Sequence, residues 1–148
     1  MGEIVAYSLP AAPLVFMTFL ANLYLLKFTT DVLQIAPALF GLIFAAARVW
    51  DAASDPLVGY WSDRTRSRLG RRRPWLLASC VPLAIAFAAV WSPPSLPGHT
   101  IELWIGLAIF LYYTAYTAAA VPHLALGAEL TLDYHERSRL AMHSRLKV

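Results

Sequence analysis

The chain has 148 residues, 59% hydrophobic and only 14% charged, with a formal net charge of +3. That balance is too apolar for an ordinary soluble domain. The single cysteine, Cys80, sits in an apolar stretch with no ligand spacing around it, which excludes an intrachain disulfide framework and a cysteine metal site.

Residues 1–9, MGEIVAYSL, read as a short amphipathic lead-in, and no basic region precedes the first apolar run as a signal peptide would require. That run extends from about Pro10 to Phe28. At about 1.5 Å per residue it just spans a hydrocarbon core of roughly 30 Å. Pro10 suits a helix start, and Pro13 still falls in the first turn. Asn22 is the one strongly polar residue of its interior, and Lys27 marks the far interface, where its stem can snorkel. A polar connection, TTDVLQIAP, follows.

The second run, about Pro37 to Trp61, carries Arg48, Asp51 and Asp55. Spaced three and four apart, they stack on one face of a helix. The run's midpoint is near Val49, so the two carboxylates lie about 3 Å and 9 Å from it along the axis, inside the hydrocarbon. Each unpaired charge at such a depth costs roughly 2.5–3.5 kcal/mol. Arg48 can pair with Asp51, but one positive charge cannot neutralise two negative ones. A cation, a proton or a lysine from elsewhere must complete the group, or else the cluster is structural and orients the helix. Small residues, among them Gly41, Ala45, Ala52 and Gly59, permit close helix contact. Pro56 removes a backbone donor next to Asp55, and carbonyls freed there suit a hard cation.

The loop from Ser62 to Arg73 holds six arginines: Arg64, Arg66, Arg68, Arg71, Arg72 and Arg73. A third run, Pro74 to Trp91, is interrupted by Pro82, and the connection after it has no lysine or arginine. The fourth run, about Leu103 to Gly127, contains Tyr112, Tyr113 and Tyr116, and Pro122 breaks its ladder. A mostly polar tail, 128–148, carries Arg137, Arg139, Arg145 and Lys147. By the positive-inside rule the arginine loop and the tail are cytoplasmic, so four spans put both termini in the cytoplasm of a multi-pass inner-membrane protein. Long apolar runs flank the arginines closely, which argues against a nucleic-acid patch. No nucleophile–base constellation is present, and His99, His123, His135 and His143 lack metal spacing, so the expectation is neither an enzyme nor a cofactor protein. The expected partners are the lipid bilayer and a small-molecule solute, and no nucleic acid.

The stretch WDAASDPLVGYWSDRTRSRLGRRRPW resembles the second span and following loop of the glycoside–pentoside–hexuronide:cation symporters, a melibiose-permease-like branch of the major facilitator superfamily. TTD upstream, and YTAAAVP and TLDYHERSR downstream, fall at matching spacings, so the resemblance covers the chain from about Thr29 onward. It implies an all-α integral membrane fold, the first part of a twelve-helix transporter. It further implies that Asp51 and Asp55 bind the coupling Na⁺ or proton with help from Thr117. Ser54 stands where the family has an asparagine of that site, and Arg48 matches the family's arginine. Gly59, Asp63, Arg64, Gly70, Arg71 and Arg72 look like the superfamily's cytoplasmic gating loop.

Two aspartates that hold sugar hydroxyls in sugar-transporting members align with Val15 and Ala120, and an aromatic position is Leu124. The cation half of the site is kept and the sugar half is not, which argues against a plain sugar. Asn22, Tyr113, Tyr116 and His123 remain to touch a substrate. The tyrosines equally suit packing, and His123, after Pro122, suits a helix–helix hydrogen bond better than a proton relay. Superfamily transporters place the substrate between two six-span halves. The chain therefore reads as an N-terminal fragment of a cation-coupled symporter, to be joined by the remaining helices. The alternatives are a self-contained four-span transporter working as a homodimer, and a non-transporting membrane protein whose charges only pack.

Overall fold

The computed structural model describes the backbone of residues 2–95 and 99–145, and the side chains of 11–95 and 99–127. Four α-helices follow one another: α1 (Gly2–Lys27), α2 (Pro37–Arg64), α3 (Arg73–Trp91) and α4 (His99–Arg145), with a π-helical turn, Phe28–Val32, continuing α1. The protein is all-α among the described residues. Three segments are long and apolar enough to cross a membrane: Ala11–Val32, Arg73–Trp91 and His99–Gly127. The 28-residue α2 is long enough, but its interior charges lower its apolarity.

Several boundaries differ from those the sequence predicts. The helix begins at Gly2, so the lead-in is helical and Pro10 and Pro13 lie inside α1. The good helix formers Glu3 and Ala6 favour that extension, and helices in lipid tolerate internal proline. The connection expected from Thr29 onward begins as helix. Thr29 Oγ1 donates to the Leu25 carbonyl at 2.9 Å and Thr30 Oγ1 to that of Leu26 at 2.9 Å, so their polarity is satisfied by the preceding turn. Pro82 and Pro122 likewise interrupt nothing, since α3 and α4 run through them. The backbone of α4 continues through Arg145, which makes most of the predicted tail helical. The tail's basic side chains and its histidines lie outside the described residues.

Between the π turn and α2 the chain reverses at Gln34, whose φ of 55° is left-handed. Pro37 then holds Ala36 extended and opens α2. Near the far end of α2, Trp75 Nε1 donates to Thr65 Oγ1 at 2.8 Å. Gly70, at φ 95°, supplies the backbone conformation that lets the arginine loop turn into α3.

The core is centred on α4, which packs against both α3 and α2. Ile105, Ile109, Tyr112 and Tyr113 of α4 are buried against Phe40 and Ala47 of α2, Leu83 and Ala86 of α3, and Leu14 and Leu25 of α1. Two indoles pin these contacts: Trp104 Nε1 donates to the Ala89 carbonyl at 3.1 Å, and Trp50 Nε1 to Thr114 Oγ1 at 3.0 Å. A Cβ added at Gly59 would meet Val121 at 3.7 Å, ordinary contact, so α2 and α4 run close here. Large apolar side chains also point outward, among them Phe16, Phe19, Leu42, Val49 and Leu107. Apolar surface inside and out is the pattern of a helix bundle whose solvent is lipid.

Candidate functional site

The polar groups of α2 meet α1 and α4 around Asp51. Asp51 Oδ1 accepts a hydrogen bond from Thr117 Oγ1 of α4 at 2.7 Å, and its Oδ2 lies 3.6 Å from Arg48 Nη1. Both carboxylate oxygens are therefore engaged, one by a neutral donor and one by a cation. Thr117 is only 1% exposed, so the bond forms where water does not compete for it. Ser54 is buried about one turn beyond Asp51, and its hydroxyl donates to the Asp51 backbone carbonyl at 3.0 Å.

Arg48 reaches across to α1. Its Nη2 donates to Asn22 Oδ1 at 2.6 Å, while Asn22 Nδ2 donates to the Thr18 carbonyl at 2.9 Å. The guanidinium also stacks on Phe44 at 5.1 Å and on Tyr113 at 4.8 Å. A polar chain thus runs Asn22–Arg48–Asp51–Thr117 and joins α1, α2 and α4.

Asp55 stands apart from it. One turn along the same face, it is exposed, and among the described residues it has no hydrogen-bond or ion-pair partner. With Arg48 balanced by Asp51, the cluster keeps a net charge of −1. Among the described residues no three carboxylates, histidines or cysteines gather as a multidentate metal cage would require. The Thr117 hydroxyl and the Asp51 carboxylate meet directly, the Ser54 hydroxyl is turned onto the Asp51 backbone carbonyl, and no contact among the described residues joins Asp55 to them.

The substrate-lining candidates divide. Asn22 and Tyr113 both touch Arg48, and Tyr113 is buried against Phe44 and Tyr112. Tyr116 packs on Tyr112 at 6.0 Å, and His123 is buried farther along α4 beyond Pro122. Val15 and Leu124, 67% and 69% exposed, and the half-buried Ala120 present only apolar surface. In the arginine loop, Arg72 Nη2 donates to Asp63 Oδ1 at 2.8 Å, which bridges the end of α2 to the start of α3. The Arg64 guanidinium lies 4.0 Å over Tyr60, and Arg71 is exposed.

Sequence reasoning missed Phe44 as a platform for Arg48, although its place one turn earlier on the same face was a usable signal. It also missed Asn22 as Arg48's partner. Those two residues are 26 apart, and only the α1–α2 packing brings them together.

The chain matches the family described as MFS/sugar transport protein over residues 6–146. It is 42% identical over 125 residues to Uncharacterized symporter sll1374 of Synechocystis, covering 79% of this chain and 23% of that protein. It is 36% identical over 118 residues to Inner membrane symporter YicJ of Escherichia coli, covering 80% of this chain and 26% of the relative. It is 31% identical over 134 residues to Sodium-dependent lysophosphatidylcholine symporter 1-A of Danio rerio, covering 90% of this chain and 25% of the relative. The chain thus spans about a quarter of the length of the curated relatives it matches.

Proposed function

The chain belongs to the glycoside–pentoside–hexuronide:cation symporter family of the major facilitator superfamily, matching its N-terminal region, and from that premise we propose that it is the cation-binding part of a cation-coupled solute symporter. Such a protein is a multi-pass membrane transporter and not an enzyme. Asp51, Ser54, Asp55 and Thr117 hold the coupling ion, and Arg48 is the charge partner of Asp51. All four helices span the bilayer, with the arginine loop and the end of α4 on the cytoplasmic side, as the positive-inside rule requires. The rest of the transporter supplies the other wall of the substrate cavity.

The observation that carries this reading is the contrast within the carboxylate pair. Asp51 is engaged on both oxygens, whereas Asp55 faces no protein partner among the described residues. A carboxylate left with an uncompensated charge at that depth favours a bound cation. Neutralising it on binding can bias the packing of α2 against α4, and so link ion occupancy to substrate affinity. The name of the Danio rerio relative, sodium-dependent, favours Na⁺ as that ion. The same relative is named for lysophosphatidylcholine, which agrees with the apolar Val15 and Ala120 in favouring a solute with an apolar body over a plain sugar.

The test is uptake by a full-length transporter carrying this segment. Asp55→Asn keeps size and hydrogen bonding but removes the charge. It should abolish stimulation of uptake by Na⁺ while leaving cation-independent substrate binding measurable. Full stimulation in both Asp51→Asn and Asp55→Asn would make the pair structural and end the symporter reading of this site.

A further inference from the structure

A mostly apolar pocket carrying two charges lies at the end of the bundle opposite the arginine loop, where α1 and α3 both finish. Its volume is about 510 Å³, and its wall includes Tyr24, Lys27, Phe28, Asp31, Phe87 and Trp91. The apolar segments Ala11–Val32 and Arg73–Trp91 both end here, which sets the pocket at the depth of lipid headgroups. Three of its rings form one cluster: Phe28 and Trp91 are 5.3 Å apart and Phe87 and Trp91 6.0 Å.

Lys27 and Asp31 are four residues apart, within pairing reach on a regular α-helix, although basic before acidic is the weaker order. Here the π turn Phe28–Val32 begins directly after Lys27 and changes the register between them. No ion pair joins the two. Asp31 Oδ1 accepts only from Thr30 Oγ1, at 3.3 Å, and Lys27 has no side-chain partner among the described residues. Both remain exposed. An aromatic belt at the interface accounts for Tyr24 and Trp91. It does not account for an acidic and a basic group held in one aromatic pocket without pairing, nor for the π turn, a distortion that is frequent at functional sites.

We propose that this pocket binds the headgroup of a zwitterionic phospholipid of the surrounding bilayer. The headgroup matches the wall charge for charge. Its phosphate meets the Lys27 ammonium. Its amine meets Asp31 and the aromatic faces, which attract cations through the ring quadrupole. An anionic lipid such as phosphatidylglycerol offers the phosphate but no cation for Asp31, so it fits only half of the site.

Trp91 makes the pocket observable. A full-length transporter carrying this segment is reconstituted into vesicles of unlabelled phosphatidylglycerol containing one fixed mole fraction of brominated phosphatidylcholine or, in a parallel sample, of brominated phosphatidylglycerol. The quenching that belongs to Trp91 is the difference between that transporter and its Trp91→Phe variant. Brominated phosphatidylcholine should quench as though enriched about threefold at the pocket, and brominated phosphatidylglycerol as its bulk fraction alone. Lys27→Ala and Asp31→Asn should each erase the enrichment at unchanged helicity. Native mass spectrometry of the unaltered transporter from mixed micelles needs no variant and should show phosphatidylcholine retained over phosphatidylglycerol. Equal quenching by the two lipids, equal retention, or enrichment that survives both substitutions would overturn the proposal.

Discussion

Thr117 and Asp51, 66 residues apart, meet in a 2.7 Å hydrogen bond that ties α4 to α2 in the least exposed part of the polar cluster. Asp51 is half-buried there and relies on each of its partners. Removing a donor leaves an oxygen that neither water nor lipid can satisfy well.

Thr117→Val keeps the shape of the side chain and deletes only the donor. The loss of a hydrogen bond to a charged group should cost about 1.5–3 kcal/mol. The thermal unfolding midpoint of the detergent-solubilised chain should therefore fall by several degrees. Thr117→Ser should restore most of it, and combining Thr117→Val with Asp51→Asn should cost less than the separate effects added together. Equal midpoints for Thr117→Val and the unaltered chain would show that the bond carries no energy.

The Asp63–Arg72 contact belongs to another regime. Asp63 is 55% exposed, while Arg72 is 13% exposed, and a pair open to water on the carboxylate side contributes about 1 kcal/mol. Asp63→Asn should barely move the unfolding midpoint or Na⁺ affinity. In a full-length transporter it should nonetheless depress uptake, because the contact joins the end of α2 to the start of α3. Loss of Na⁺ binding as large as that of Asp55→Asn would refute this division of roles.

Orientation follows from charge alone. A reporter active only in the cytoplasm should be active when fused after Arg73 or after Val148, and inactive after Leu96. The reverse pattern for the Arg73 and Leu96 fusions would invert the proposed topology.

The helical class was legible from apolar run lengths, and the shared face of Arg48, Asp51 and Asp55 from spacings of three and four. Both rest on local periodicity. The Thr117–Asp51 contact was reached only through family resemblance, because no local signal links residues on α2 and α4. The Asn22–Arg48 bond had no signal of either kind. The π turn was hidden for a different reason. Thr29 and Thr30 look like loop residues, yet their hydroxyls fold back onto the carbonyls of Leu25 and Leu26 and keep the chain helical. Pro82 and Pro122 misled in the same direction, since a proline that would break a helix in water need not do so in a packed membrane bundle.

The central claim is that Asp55 leaves the Asp51 cluster one positive charge short. It is tested most directly by calorimetric titration of Na⁺ into a purified full-length transporter carrying this segment, in a sodium-free choline buffer, with Asp55→Asn titrated alongside. The account predicts saturable binding to the unaltered transporter and none to Asp55→Asn, with Thr117→Val weakened by about tenfold, the equivalent of about 1.4 kcal/mol. The same isotherm for Asp55→Asn as for the unaltered transporter, or no saturable binding to either, would contradict it.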